Sequence, residues 1–261
     1  MNGALNPFAS NPAALANHSY GRLVDDRLIT ESEGKAPALV SEVHQALRAV
    51  LHDPDFPCVG AKSVVNQASY RFGLYQRLAD PASTAGLAYD LFEFIQERPQ
   101  IEGEFTSYIA CFLEPKVRTP KRFEQLLWRQ LRALHEADMA HFRWNDAVSA
   151  DTDDPAFSFS FANNAFFVVG LSPASTRWAR QFPWPTLVFN DHDQFERLRE
   201  QERYDRLRDV IRERDSKLHG AANPMLGDHG SHSEARQYSG RQVGSDWRCP
   251  VHFDVEEDAK P

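Results

Sequence analysis

Two short segments near the C-terminal end carry the side chains best suited to holding a metal. In Val188-Phe189-Asn190-Asp191-His192-Asp193-Gln194 a histidine follows an apolar run and opens a charged one. A neutral imidazole there can ligate iron or zinc through one nitrogen while a neighbour fixes the other. Asn190, Asp191 and Asp193 are the neighbours available for that task. In Trp247-Arg248-Cys249-Pro250-Val251-His252 a thiol precedes a proline. A thiolate binds iron directly, and the proline removes a competing backbone donor. Both residues also have a plainer reading. His192 fits a surface histidine in a first helical turn capped by Asp191, and Cys249 fits a small buried thiol beside Trp247.

Other groups suit polar ligands. His229, His232, Cys249 and His252 together make a tetrahedral zinc set, although without the paired-cysteine knuckle of structural zinc sites. The stretch Ser233-Glu234-Ala235-Arg236-Gln237-Tyr238-Ser239-Gly240-Arg241 holds Arg236 and Arg241, whose guanidinium forks match carboxylates, and Glu234, which can face a cation. Arg177 and Arg180, behind Pro173-Ala174-Ser175, form a second candidate anion clamp. The plain alternative for each is a solvated loop. The Arg/Glu run from Glu196 to Arg214 reads as a solvated helix face with i,i+4 pairs.

These residues need a scaffold. Helical spacing of apolar residues predicts helices over Ala38–Leu51, Thr84–Gln96, about 120–141, and from Tyr204 through Leu218. Tyr70–Leu78, Phe105–Leu113 and Thr186–Phe189 read as strands. Cys58 to Ser63 reads as a strand-to-turn junction. Phe157–Phe161 and Ala165–Leu171 read as a hairpin turning at Asn163-Asn164. Asp191 with Gln194 is a capping-box signature that starts a helix near His192. Gly220 to Gly244 reads as a long polar loop. The expectation is a single large α+β domain over 37–253, a mainly antiparallel sheet packed by helices. A mostly irregular arm (1–36) precedes it and an acidic tail (254–261) follows.

At 261 residues, 42% hydrophobic and 25% charged, the chain can bury a substantial core. A net charge of −8 argues against nucleic acid as a partner. No stretch has the length and apolarity of a membrane helix, and the N-terminal residues do not resemble a signal peptide. Three cysteines make no disulfide framework, so a cytoplasmic location with reduced thiols is expected. Gly60-Ala61-Lys62-Ser63 ends like a phosphate-binding loop but lacks its earlier glycine.

The residues from about 50 to 252 resemble the YqcI/YcgG family. The matching pieces are Phe56-Pro57-Cys58-Val59-Gly60-Ala61-Lys62-Ser63, Phe166 to Pro173, Val188 to Arg199, Arg212 to Asp215, Asn223 to Leu226, Ser233 to Arg241, and Trp247-Arg248-Cys249-Pro250. The family includes heme-dependent N-hydroxylases of guanidine-bearing amino acids in natural-product biosynthesis, those of the guanitoxin and D-cycloserine pathways among them. The resemblance implies heme b and a small cationic amino-acid substrate such as arginine. It also implies dioxygen with an external electron donor, protein or small reductant, or else peroxide. It favours His192 as the axial ligand, with Cys249 as the alternative. It suggests Arg177, Arg236, Arg241 and Asn190 around the cofactor, and Glu234 on the guanidinium. A homodimer is compatible with it. Two positions depart from the family pattern: Ser172 stands where many relatives have histidine before the proline, and Val251 where an aromatic is common after Cys-Pro. Two other classes fit the same residues: a non-catalytic heme-binding, sensing or trafficking protein, and a zinc-stabilised binding module.

Overall fold

The computed structural model describes residues 5–31, 37–221, 223–225 and 232–255. Among them, seven strands form one mixed sheet in the order β2-β1-β3-β4-β7-β6-β5. The strands are β1 (Gly21–Val24), β2 (Arg27–Thr30), β3 (Tyr70–Arg77), β4 (Ser107–Glu114), β5 (Phe159–Phe161), β6 (Asn164–Leu171) and β7 (Thr186–Asp191). The helices are α1 (Pro12–Asn17), α2 (Ala38–His52), α3 (Val59–Asn66), α4 (Pro81–Glu97), α5 (Pro120–Asp138), α6 (His192–Glu200), α7 (Tyr204–His219) and α8 (Ala235–Tyr238). Only β3 and β4 pair in parallel, joined through α4; every other pairing is antiparallel. The α+β expectation therefore holds.

Helices cover both faces, which is why β4 is apolar on both sides rather than alternating. Tyr108, Ala110 and Phe112 enter one core with α4 and α5, while Ile109 and Cys111 enter the other with α2, α3, α6 and α7.

The N-terminal segment departs from the irregular arm expected. A 3-10 turn at Pro7–Ser10, α1 and the β1–β2 hairpin are all ordered. Tertiary contacts explain it. Phe8 stacks on Phe161 with ring centroids 5.5 Å apart, and Tyr20 stacks on Tyr108. The buried Asp90 carboxylate accepts from the Ser19 N–H at 2.6 Å and from the Tyr75 hydroxyl at 2.6 Å. No local periodicity announces such contacts. Two other boundaries shift. Cys58 caps α3 rather than ending a strand, its Sγ accepting from the Ala61 N–H at 3.4 Å. The β5–β6 turn sits one residue earlier than expected, with positive φ at Ala162 and Asn163, and Asn164 already in β6. The acidic tail from residue 256 lies outside the described residues.

Gly86 is where α1 crosses α4. A Cβ there would stand 2.1 Å from the Asn17 carbonyl oxygen, a backbone atom that cannot swing aside. Gly86→Ala should destabilise the fold by about 1–3 kcal/mol or more, the usual cost of overpacking. Urea denaturation of the two proteins checks it.

Candidate active site

The two faces of β6 and β7 are filled unequally. Phe166, Val168, Leu187 and Phe189 are fully buried, whereas Phe167, Val169, Val188 and Asn190 on the opposite face remain half-buried in the middle of the sheet. They line a cavity of about 300 Å³, a volume typical of small-molecule sites. β4, β6 and β7 form its floor. Its walls come from α2, α3, α6 and α7, and the segment around α8 closes the sheet edge. The lining is chiefly apolar, with Leu51, Phe56, Val64, Phe105 and Leu207 on the walls.

One end of the cavity is built around Glu234. Ser158 Oγ donates to its Oε1 at 2.6 Å, and the Tyr238 hydroxyl reaches the same oxygen. That hydroxyl also accepts from the Phe159 N–H and lies 3.1 Å from the Phe166 carbonyl. β5 ends early, so this tyrosine takes over part of the ladder at the edge of β6. One hydroxyl proton cannot serve both Phe166 O and the carboxylate. A proton on Glu234 would let the acid donate to the tyrosine oxygen. Desolvation pushes the Glu234 carboxyl up to about 8, against the hydrogen bonds from Ser158 and Tyr238, which favour the carboxylate. The residue keeps some accessible surface because it faces the cavity rather than bulk water.

His192 opens α6 at the same end, directly after Asp191, which pairs with Phe166 in the sheet. Its side chain lines the cavity and is 14% exposed, with Nε2 3.7 Å from Glu196 Oε1. Two of the three expected partners, Asn190 and Asp191, are otherwise engaged. Asn190 lines the floor, accepts from Ser107 Oγ at 2.8 Å and donates to the Phe167 carbonyl at 3.1 Å. Asp191 caps α6 and pairs with Arg98 at 2.6 Å. The capping box forms only by half: Gln194 accepts from the Thr106 N–H at 2.8 Å instead of turning back to the cap.

The other end holds Arg180, Cys58 and the first turn of α3. Arg177 lines the wall nearby, committed to Asp215 at 3.0 Å. Cys58, unremarked as a site residue from sequence, faces the cavity. Burial raises its thiol, and the neighbouring N–H groups and Arg180 partly offset that. A thiol at the start of a helix of small residues was the available signal.

Three sequence candidates stand elsewhere. Cys249 is buried in the core with α4 and α5, on the opposite side of the sheet from His192, and burial pushes its thiol up to about 12. The two do not share a site. Arg241 forks onto Glu124 of α5 at 2.7 and 3.0 Å, and Trp247 Nε1 donates to the same carboxylate. Arg236 reaches the Gly244 carbonyl and lies 5.7 Å over the Trp247 ring. Both secure the C-terminal segment rather than line the cavity. His229 lies outside the described residues, and among those described no group of three or more His, Cys, Asp or Glu can hold a metal ion. No described helix is long and apolar enough to cross a membrane.

The family model of YqcI/YcgG matches residues 47–252. The chain belongs to the YqcI/YcgG family. The match spans every wall of the cavity, from Leu47 of α2 to the α8 segment, and takes in Cys249 at its far end. No curated protein and no solved structure matches the chain. Of the two positions that depart from the family pattern, Ser172 is buried in a turn, its Oγ accepting from the Ala174 N–H at 3.2 Å, and Val251 packs in the core.

Two outcomes follow from this geometry. Folded Glu234 holds a proton that the unfolded chain, near its ordinary value of 4.5, has released; between about pH 4.5 and 8 the unfolded state binds fewer protons, so stability falls as pH rises. Glu234→Gln removes that slope, and its melting temperature should gain on the wild type from pH 5 to 8. Arg241→Met strands the Glu124 carboxylate and should cost about 2–4 kcal/mol in urea denaturation, with ligand binding in the cavity unchanged.

Proposed function

We propose that the cavity would hold heme b, with His192 binding its iron, and that the protein N-hydroxylates a guanidine-bearing amino acid, arginine or a derivative. The observation that carries this reading is the convergence of His192 and Glu234 on one end of an apolar cavity. The residues suit the group. Phe167, Val169, Val188 and Ile109 offer a flat apolar floor to a macrocycle, and guanidinium groups on the walls offer partners to propionates. Family membership agrees with the reading without specifying an activity. Heme supplies the oxygen chemistry, using dioxygen with electrons from an external donor, or peroxide.

The protein's part is binding, orientation and proton handling. His192 Nε2 has the Glu196 carboxylate 3.7 Å away, an oxygen it shares with Arg199. Glu234 receives the guanidinium. At rest it carries a proton shared with Tyr238 and Ser158; an arriving cation favours the carboxylate, so binding expels that proton. The ionised carboxylate then holds the guanidino nitrogen and can accept the proton that must leave it during hydroxylation. The apolar floor excludes water and strengthens the ion pair.

Expression with a heme precursor should yield a protein with a Soret band, and His192→Ala should abolish the band or shift it strongly. Cys249→Ala should leave it in place. With heme bound, arginine affinity should rise from pH 6 to 8 as Glu234 releases its proton more readily. Glu234→Gln should remove that slope and weaken binding roughly tenfold or more while heme content stays constant. Turnover with a reductant and oxygen, or with peroxide, is read as a mass gain of one oxygen on arginine. Its absence across a panel of guanidines would leave a heme-binding protein and refute the hydroxylase.

A further inference from the structure

Among the described residues, Arg180 lines the cavity with its position fixed and no ion pair of its own. Its Nη1 donates to the Gly170 carbonyl of β6 at 3.2 Å, and among the described residues no carboxylate forms an ion pair with it. Arg177, three residues earlier, is satisfied by Asp215. The Arg180 stem is also clamped. Gly240, at φ +71°, passes directly over it, and a Cβ on that glycine would stand 3.3 Å from Arg180 Cγ. Beside it the first turn of α3 opens into the cavity. A Cβ on Gly60 would meet nothing but Cys58 Sγ at 4.0 Å, so a ligand can approach the backbone there. Asp215, already paired with Arg177, acts on this guanidinium only from beyond ion-pair distance, and burial holds it down at about 10. Cys58 Sγ already accepts from the Gly60 and Ala61 N–H groups, so the guanidinium fork supplies the hydrogen bonds for a planar anion and the glycine turn supplies the room.

We propose that Arg180, with the Gly60 turn of α3, is a carboxylate seat at the end of the cavity opposite Glu234. The spacing fixes the class of ligand. Glu234 is tied through Tyr238 to Phe166, and Arg180 is tied to Gly170, four residues further along β6. At ~3.3 Å per residue the two anchors stand about 13 Å apart. That span suits a molecule with a cation at one end, a carboxylate at the other and an aliphatic chain between, such as an unbranched ω-guanidino amino acid. The same seat suits a heme propionate reaching away from His192. The cationic half of this assignment rests on the reading of Glu234 given above; the seat itself does not.

The test is calorimetric, with Arg180→Gln against wild type in the full chain. Probes are L-arginine, its decarboxylated analogue agmatine, hemin and hexanoate. If the seat takes the substrate's carboxylate, Arg180→Gln weakens L-arginine roughly tenfold or more. Agmatine and hemin then bind as in wild type. If it takes a propionate, hemin affinity falls by that factor, and arginine and agmatine move together. Hexanoate separates the seat from the hydroxylase reading. Should wild type bind neither hemin nor arginine, hexanoate binding that Arg180→Gln abolishes still establishes the seat. Unchanged binding of all four probes in the variant overturns the proposal, as does a wild type that binds none of them. If Arg180→Gln fails to fold, Arg180→Lys keeps the charge and loses the fork. It should weaken the carboxylate probes several-fold, and wild-type affinity there overturns the proposal equally.

Discussion

Period-two alternation in β6 and β7 sends one set of side chains into a closed core and the next set onto a face that the helices do not fill. Everything distinctive about this molecule follows from that inequality. Phe166, Val168, Leu187 and Phe189 pack against α5 and its neighbours, with Trp128, Phe157 and Phe253 completing an aromatic layer. That side supplies the rigidity. On the other side α6 and α7 stand away from the sheet, and the strand residues that would elsewhere anchor a core become the floor of a cavity. A slip of one residue in either strand would exchange the two roles.

The charges in the cavity are arranged by how each is held. Arg177 and Arg199 are neutralised by Asp215 and Glu196, and Arg199 also lies 4.6 Å over the Tyr204 ring. The Glu234 carboxyl is raised by desolvation, while the hydrogen bonds from Ser158 and Tyr238 favour its carboxylate. Arg180 alone among the cavity guanidinium groups described in contact detail relies on a single backbone carbonyl. A pocket in a low-dielectric interior tolerates such groups when a ligand completes them, which is the physical basis for reading polarity at both ends as recognition rather than as stability.

Much of the fold was legible. The apolar stripe of α5, the breakers around α4 and the β-rich runs of β3, β4 and β7 each appear as local patterns, and the elements lie within a few residues of where periodicity puts them. Proline at N1 and capping by Asp80 and Thr119 fix the starts of α4 and α5 by chemistry contained in three or four residues. What was not legible depended on partners far away in the chain. Residues 7–30 look weakly structured because their order comes from Phe161, Tyr108 and Asp90. Gln194 reads as a capping partner until the Thr106 N–H, 88 residues away, takes its oxygen.

The site divides in the same way. Residue type and local spacing put His192, at a strand–helix junction, and Glu234, in a ligand-rich segment, among the candidates, because a helix cap and a cluster of polar side chains are local facts; the family resemblance, not spacing, favoured them. Which of the ligand-capable residues share a space was decided by the sheet alone. Cys249 and His192 are comparable candidates as a string of residues, yet the sheet stands between them. Arg241 and Arg180 are both arginines in polar loops, yet Glu124 waits beside one and open space beside the other. Sequence determines what each side chain can do; only the burial of two different faces against two different sets of helices determines which of them face the same cavity.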